Sequence, residues 1–249
     1  MTRNRPVPEV SLEDRQFIQS LIVYEDEDLI AFNKPSGLPV QDGRGIDRSL
    51  DSLLGAFARS NGKRPRLVHR LDAGTSGMVI VAKTQPAAAF LSAEFAERRT
   101  RKTYIAIVGG RIPSENSGMM DVPLIKVQEA GRVRMIAARA DRKGALASRT
   151  GWELLEKHEG YGMLRLYPET GRMHQIRIHL ANAGCPIIGD PIYGNGKEDA
   201  SRLMLHALSL KIMKPSGDVL ELIADIPTDF AEIANGLGFE ACLSEVVSQ

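Results

Sequence analysis

The segment His69-Arg70-Leu71-Asp72 places an imidazole, a guanidinium and a carboxylate close together in the chain. It is followed by Gly74-Thr75-Ser76-Gly77 and by the apolar run Met78–Ala82, which is typical of a buried strand. Polar side chains at the mouth of a buried strand are held by a rigid element, which favours a catalytic or binding role. Asp, Gly, Thr and Ser are equally typical of a plain turn, so composition alone favours that interpretation.

Two common catalytic motifs do not fit this segment. A kinase catalytic loop requires His-Arg-Asp in succession, and here Leu71 intervenes. The nucleophile elbow G-x-S-x-G requires its second Gly one position later than Gly77. The chemistry of the segment therefore has to be inferred together with the rest of the chain.

A second polar segment, Thr170–His179, reads Thr-Gly-Arg-Met-His-Gln-Ile-Arg-Ile-His. The apolar spacing of Ile176, Leu180 and Ala183 predicts a helix, and Gly184 is placed to end it. On such a helix His174 and Arg177 share a face away from the apolar stripe. Arg177 is then either a surface cation or a partly buried guanidinium that requires a carboxylate partner, for which Asp72 is a candidate.

The histidines of this segment do not have the spacing of a metal site. His174 and His179 are five residues apart, about 140° around a helix, whereas a zincin pair is four apart. No other set of Cys or His residues has ligand spacing, so we expect no metal.

The elements that position these segments are more often strands than helices. A further helix is predicted around Leu50–Ala58, with Asp47 as N-cap, another opens at Pro86, and a short one lies near Phe230. Predicted strands do not alternate regularly with helices; they lie at 21–24, 29–32, 78–82, 103–108, 152–155, 163–167, 203–212 and 219–224. This pattern predicts an α+β fold around a mixed or antiparallel sheet.

The composition is that of an ordinary globular protein. The chain has 249 residues, 43% of them hydrophobic and 25% charged. Apolar runs such as Met78–Ala82 are far shorter than the ~20 residues of a transmembrane helix, and the N-terminus lacks a secretory signal. Lone Cys185 and Cys242 are typical of reduced thiols, so we expect a cytoplasmic protein. We predict a polar N-terminal arm over 1–20 and one domain over 21–249.

The positive charge is concentrated in the middle of the chain. Residues 98–149 carry 12 Lys and Arg against 4 Asp and Glu, which is a net charge of +8, while the whole chain has +1. Such a segment is typical either of a surface that meets a polyanion or of a solvated loop. An aromatic content of only 5% disfavours binding by many stacked bases, whereas a single flipped base requires only one aromatic.

Taken together, these segments resemble the RluA family of RNA pseudouridine synthases. The matching pieces follow the family's order over about residues 21–230: Asn33–Gly37, Val68–Asp72 with Thr75–Gly77, Lys102–Tyr104, Thr170–His179 with Pro186–Asp190 and Tyr193–Gly194, and Arg202–Ala207. Each piece is short, but several in order at sensible spacing are highly specific.

The resemblance implies a pseudouridine synthase catalytic fold, with a largely antiparallel central sheet, flanking helices and a central cleft. It implies an isomerase that converts uridine to pseudouridine without a metal or cofactor. The expected substrate is a stem-loop of large-subunit rRNA, or of tRNA, and the expected state is a monomer with no membrane partner. Since the first motif begins at Asn33, we expect no S4-type RNA-binding domain before it.

The resemblance also implies roles for individual residues. Asp72 matches the catalytic aspartate, Arg177 the arginine that pairs with it, and Tyr104 the aromatic that packs on the target base. An opposite charge beside a carboxylate stabilises its ionised form. Arg70 matches the residue that helps to hold the flipped state, and we expect His69 to orient the loop. Further RNA-binding residues are expected at Arg66, Lys102, Arg172 and His174.

Two other functions remain open at this point. The same scaffold can act as a non-catalytic RNA-binding or RNA-folding module, and a basic ribosome-associated structural protein would fit the charge. The presence of Asp72, Tyr104 and Arg177 together favours the enzyme, because a protein that only binds RNA has no physical need of all three.

Overall fold

The computed structural model describes residues 10–43, 45–129, 132–194 and 200–248. The chain divides into two compact units, one of residues 1–100 with 210–224 and one of residues 101–209 with 225–249. We describe each unit by itself. The predicted boundary at residue 20 and the predicted central cleft remain predictions.

Within its described residues, the first unit contains three α-helices, five complete strands and the end of a sixth. Its elements are α1 (Leu12–Ser20), β1 (Ile22–Glu25), β2 (Leu29–Lys34), α2 (Leu50–Leu53) with a 3-10 helix (Leu54–Phe57), β3 (Arg66–Leu67), β4 (Ser76–Ala82), α3 (Gln85–Ala96), the end of β11 (Leu205–Met213) and β12 (Val219–Ile223). Strand β2 pairs antiparallel with β1 and β4, and β3 pairs with β4. All seven residues of β4 are buried, as the apolar run predicts.

The second unit carries the other strands and helices. Its elements are β5 (Arg101–Gly109), β6 (Ser117–Asp121), β7 (Leu124–Glu129), β8 (Arg132–Ala137), β9 (Arg149–His158), β10 (Tyr161–Pro168), α4 (Gln175–Asn182), the start of β11, α5 (Thr228–Gly236) and α6 (Glu240–Ser248). Antiparallel pairing gives the order β5-β10-β9-β6, and β7 and β8 form a separate hairpin. The predicted α+β class is confirmed.

Three helical predictions differ from the structure. Helix α1 lies within the predicted polar arm; it begins at the N-cap Ser11, and its Ile18 is fully buried. The sequence does not indicate this helix, because one buried residue in nine makes a weak apolar stripe. Helix α2 is capped by Ser49, whose hydroxyl accepts from the Ser52 amide, and not by Asp47. Helix α6 was not predicted, although Cys242, Leu243 and Val246 form its buried face.

Glycine 189 shows how closely two segments of the second unit approach each other. Its φ is +69°, and a Cβ there would lie 1.8 Å from the carbonyl oxygen of Arg202. Any other residue would have to displace the backbone that leads into Asp190.

The loop after β2 clamps the turn that carries Asp72. The ammonium of fully buried Lys34 donates to the carbonyl oxygens of Pro35 (2.9 Å), Leu38 (2.9 Å) and Ala73 (3.1 Å). The amide of Gly37, whose φ is +86°, donates to the same Ala73 oxygen at 2.8 Å.

The hydroxyl of Ser36 adds a further bond, to the Gly74 carbonyl oxygen at 2.7 Å. The Asn33–Gly37 motif therefore has a physical role: it fixes the backbone of the turn after Asp72.

We predict that Lys34→Met lowers the free energy of unfolding by about 3 kcal/mol, because buried carbonyls lose a charged donor. Urea denaturation followed by circular dichroism measures the change. The exposed Lys63→Met variant is the matched control and should differ from the wild type by less than about 0.5 kcal/mol. Equal stability of both variants would contradict the clamp.

Candidate active site

The predicted site residues are divided between the two units. His69, Arg70, Asp72 and Arg66 belong to the first unit. Lys102, Tyr104, Arg172, His174 and Arg177 belong to the second.

Asp72 begins a tight turn directly before the buried strand β4. Its carbonyl oxygen accepts from the amide of Thr75 at 3.1 Å, and its side chain is half-buried. The turn is held from one side by the loop 34–38 and continues into a strand with no exposed residue. A carboxylate on so constrained a backbone has a defined position, which is what a reacting group requires.

His69 is engaged within the first unit. Its Nε2 accepts from the amide of Ile80 at 2.9 Å, and its ring stacks on that of Phe95 with centroids 4.3 Å apart. Since Nε2 accepts, the neutral ring carries its proton on Nδ1. These contacts support the expectation that His69 orients the loop.

Arg70 and Arg66 place positive charge on the surface near this turn. Arg70 is exposed and donates from Nη1 to Oε1 of Gln41 at 2.8 Å. Arg66 is exposed on β3, opposite Ala82. Both guanidinium groups are therefore accessible to an anionic ligand.

Tyr104 lies on β5, opposite Leu166 of β10. Its half-buried ring packs against the main core cluster of the second unit. Lys102 is two residues earlier, and its Nζ lies 4.0 Å from the position of a Cβ on Gly171. The strand thus places Lys102 beside the loop that leads to α4.

Gln175, which the sequence analysis did not single out, fixes the loop before α4. Its Oε1 accepts from the Thr170 hydroxyl (2.6 Å) and the Arg172 amide (3.1 Å). Its Nε2 donates to the Arg149 carbonyl and the Thr150 hydroxyl, both at 2.9 Å. Both donors and both acceptor positions of the amide are in use. Four hydrogen bonds from one buried side chain set where the helix starts.

The structure changes the interpretation of His174. It is not on the helix but precedes it, in the left-handed region with φ 56°. Arg172, also before the helix, is half-exposed and donates from Nε to the Ala147 carbonyl oxygen at 3.3 Å. Because α4 begins at Gln175, one residue after His174, the prediction that His174 and Arg177 share a helical face is wrong.

Arg177 is not a surface cation. Its Nε donates to Oδ2 of Asp190 at 2.8 Å, and its Nη2 donates to Oδ1 at 2.7 Å. The two side chains are only 5% and 1% exposed. This two-point geometry is the strong form of an arginine–carboxylate pair. Asp190 is therefore a carboxylate partner of the buried Arg177, as such a guanidinium requires. The pairing of Arg177 with Asp72 remains a prediction.

Asp190 is held as tightly as Arg177. Its Oδ1 also accepts from the amides of Ile192 (2.9 Å) and Tyr193 (3.1 Å). Burial acts to raise the pKa of Asp190, but these bonds and the charge of Arg177 outweigh it and hold the pKa below its usual value. The sequence showed Asp190 within a motif but gave no sign of its partner, which lies 13 residues away.

His179, the last histidine of the motif, is buried and bonded through both ring nitrogens. Nδ1 lies 2.9 Å from the Thr150 hydroxyl, and Nε2 lies 3.0 Å from the Val122 carbonyl oxygen and 3.1 Å from the Ser148 hydroxyl. Burial is the largest cause that lowers its pKa, so the ring is neutral at physiological pH. Within the described ranges no three His, Cys, Asp or Glu side chains are grouped as metal ligands.

Comparison with known proteins identifies the family of the chain. The profile of the family described as RNA pseudouridylate synthase matches residues 28–182. An uncharacterised RNA pseudouridine synthase of Zymomonas mobilis is 37% identical, over 85% of this chain and 96% of its own length. Ribosomal large subunit pseudouridine synthase C of Vibrio parahaemolyticus is 34% identical over 92% of this chain and 73% of its own.

Two solved structures that resemble this chain are also RNA pseudouridylate synthase domain proteins. Human RNA pseudouridylate synthase domain containing 4 superposes with a TM-score of 0.75 at 25% identity, over 90% of this chain and 97% of its own. Human RNA pseudouridylate synthase domain containing 1 has a TM-score of 0.70 at 31% identity, over 83% of each chain. The predicted family and pseudouridine synthase fold are confirmed. The chain belongs to the RNA pseudouridine synthase family of the RluA type, and it is an enzyme that isomerises uridine in RNA.

Proposed function

We propose that this enzyme converts specific uridines of large-subunit rRNA to pseudouridine, with Asp72 as the catalytic carboxylate. The substrate is supported by the relatives from Vibrio parahaemolyticus and Haemophilus influenzae, which are 34% and 35% identical and are named for the ribosomal large subunit. The role of Asp72 is supported by one observation above the others: its turn is clamped by the buried ammonium of Lys34.

The reaction breaks the bond between uracil N1 and ribose C1′, rotates the uracil, and forms a bond between C5 and C1′. A proton then leaves C5 and N1 gains one, so that substrate and product have the same composition. Asp72 either attacks C1′ and leaves again, or removes a ribose proton and returns it after the new bond has formed. Either route requires a carboxylate that is fixed in place and ionised. No electron is gained or lost, and no metal or cofactor takes part.

Other residues serve binding and positioning in this proposal. The target uridine leaves its helix, which costs a few kcal/mol, and Arg70 fills the gap that remains. Tyr104 packs on the extruded base and assists the late removal of the C5 proton. The basic residues between Arg98 and Arg149 contact phosphates, with Lys102 and Arg172 beside the helix start, and these contacts offset the cost of flipping.

The buried pair of the second unit supports the same chemistry. In this proposal Arg177 pairs with Asp72 during the reaction, and Asp190 holds the guanidinium of Arg177 through two hydrogen bonds. A buried arginine that is bonded to one fixed carboxylate already has a defined orientation before a second anion binds to it. Among the described residues no helix combines the length and hydropathy that a membrane crossing needs. We place the enzyme in the cytoplasm, where its proposed substrate is made.

We predict that Asp72→Asn lowers tritium release from RNA labelled at uracil C5 by at least about a thousandfold, because the near-isosteric amide cannot attack or accept a proton. RNA binding, measured by filter retention, should stay within a few fold. The exposed Asp218→Asn variant is the control and should keep full activity. Large-subunit rRNA and tRNA are assayed separately to identify the RNA class. Retained turnover with Asp72→Asn would refute the assignment.

We also predict a pH dependence for the stability that Asp190 provides. Its folded pKa lies below the unfolded value, so its stabilisation is complete above about pH 5 and is lost as the pH falls through the folded pKa. The difference in melting temperature between wild type and Asp190→Asn should thus be largest near pH 7 and shrink below about pH 4. Exposed Asp141→Asn should differ little at any pH. A constant difference for Asp190→Asn would contradict the charged pair.

A further inference from the structure

Tyr193 contacts the β7–β8 hairpin through its hydroxyl. The hydroxyl donates to the carbonyl oxygen of Met135, in the middle of β8, at 3.1 Å. The ring packs on the small apolar cluster of Leu124, Met135 and Ile178, which joins the base of the hairpin to α4. The hydrogen bond and the packing of the ring both hold the hairpin at Met135.

The same hydroxyl contacts the residue before α4. It lies 2.9 Å from Nδ1 of His174, and the two rings meet edge to face with centroids 5.5 Å apart. A hydroxyl has one proton, which here goes to Met135, so it accepts the hydrogen of His174 Nδ1. Burial is the largest cause that raises the pKa of Tyr193, which keeps this proton in place at neutral pH although Arg177 acts in the opposite direction.

The ring and backbone of Tyr193 contact the buried ion pair. The guanidinium carbon of Arg177 lies 5.2 Å from the ring centroid, and the Tyr193 amide donates to Oδ1 of Asp190. Arg134 of the hairpin approaches the ring to 5.9 Å and donates to the Ile192 carbonyl oxygen at 3.3 Å. Because each guanidinium group is attracted to the ring, Tyr193 favours one arrangement of both.

We propose that Tyr193 is a positioning residue that fastens the β7–β8 hairpin to the Arg177–Asp190 pair, so that RNA held by the hairpin is in register with Arg177. This inference rests on the proposed function. The hairpin has the charge for such a contact, since residues 124–137 contain Lys126, Arg132 and Arg134 against the single acid Glu129. Lys126 is exposed on it.

Two variants separate the contacts of Tyr193. Tyr193→Phe keeps the ring over Arg177 and loses both bonds of the hydroxyl, whereas Tyr193→Leu loses the ring as well. Tyr167→Phe is the matched control, because its hydroxyl bonds Glu153 on the main sheet of the second unit.

Hydrogen–deuterium exchange on the RNA-free protein tests the anchor directly. We expect the amides of Leu124–Ala137 to exchange about fivefold faster in Tyr193→Phe, the size expected for a lost neutral hydrogen bond, and to be unchanged in Tyr167→Phe. Exchange of the hairpin at the wild-type rate in Tyr193→Phe would overturn the inference.

Tritium release from C5-labelled large-subunit rRNA tests the link to the site. Tyr193→Phe should raise KM about fivefold and leave kcat within about twofold, while Tyr193→Leu should also lower kcat about tenfold or more. A purely structural role would lower kcat in both variants through loss of folded enzyme and leave KM unchanged, and that result would overturn the inference.

Failure of the inference and failure of the proposed function give different results. A wild-type enzyme that releases no tritium from rRNA would refute the proposed substrate, and the exchange experiment would still decide whether Tyr193 anchors the hairpin. An active wild type with an unaffected Tyr193→Phe would refute the role of Tyr193 alone.

Discussion

The guanidinium of Arg177 is removed from water almost completely, and a charge in that position requires an opposite charge with exact geometry. Asp190 supplies it through two short hydrogen bonds, and two backbone amides hold Asp190 in turn. The surrounding structure serves this pair. Gln175 sets the start of the helix that carries Arg177, and Gly189 permits the close backbone approach that leads into Asp190.

The first unit also contains a buried charge that is held by groups of opposite polarity. The ammonium of Lys34 is fully buried, and three carbonyl oxygens surround it, one of them from the turn that begins at Asp72. In the first unit the buried cation Lys34 fixes the backbone next to the predicted site residue Asp72, and in the second unit the buried cation Arg177 is itself a predicted site residue that Asp190 fixes. A buried ion pair stabilises a protein less than apolar groups of the same size do, so the presence of the Arg177–Asp190 pair, which includes a predicted site residue, indicates a functional constraint.

The sequence predicted well what depends on local pattern. The apolar run Met78–Ala82 is a buried strand, the end of α4 before Gly184 is correct, and the motifs identified the family. It did not predict what depends on contacts between distant segments. The bond between Arg177 and Asp190 spans a loop that no periodicity describes, and the left-handed backbone of His174 lets the helix begin only at Gln175. Helix α1 was missed because most of its residues face solvent.

If the Arg177–Asp190 pair is present for chemistry and not for stability, apolar residues can replace it in the fold but not in the reaction. The most direct test is tritium release from C5-labelled rRNA by the double variant Arg177→Met/Asp190→Leu, with its melting curve recorded beside those of the two single variants. We expect the double variant to melt above either single variant, since no charge is left buried and unpaired, and to release no tritium. Turnover by this folded double variant at the wild-type rate would contradict it.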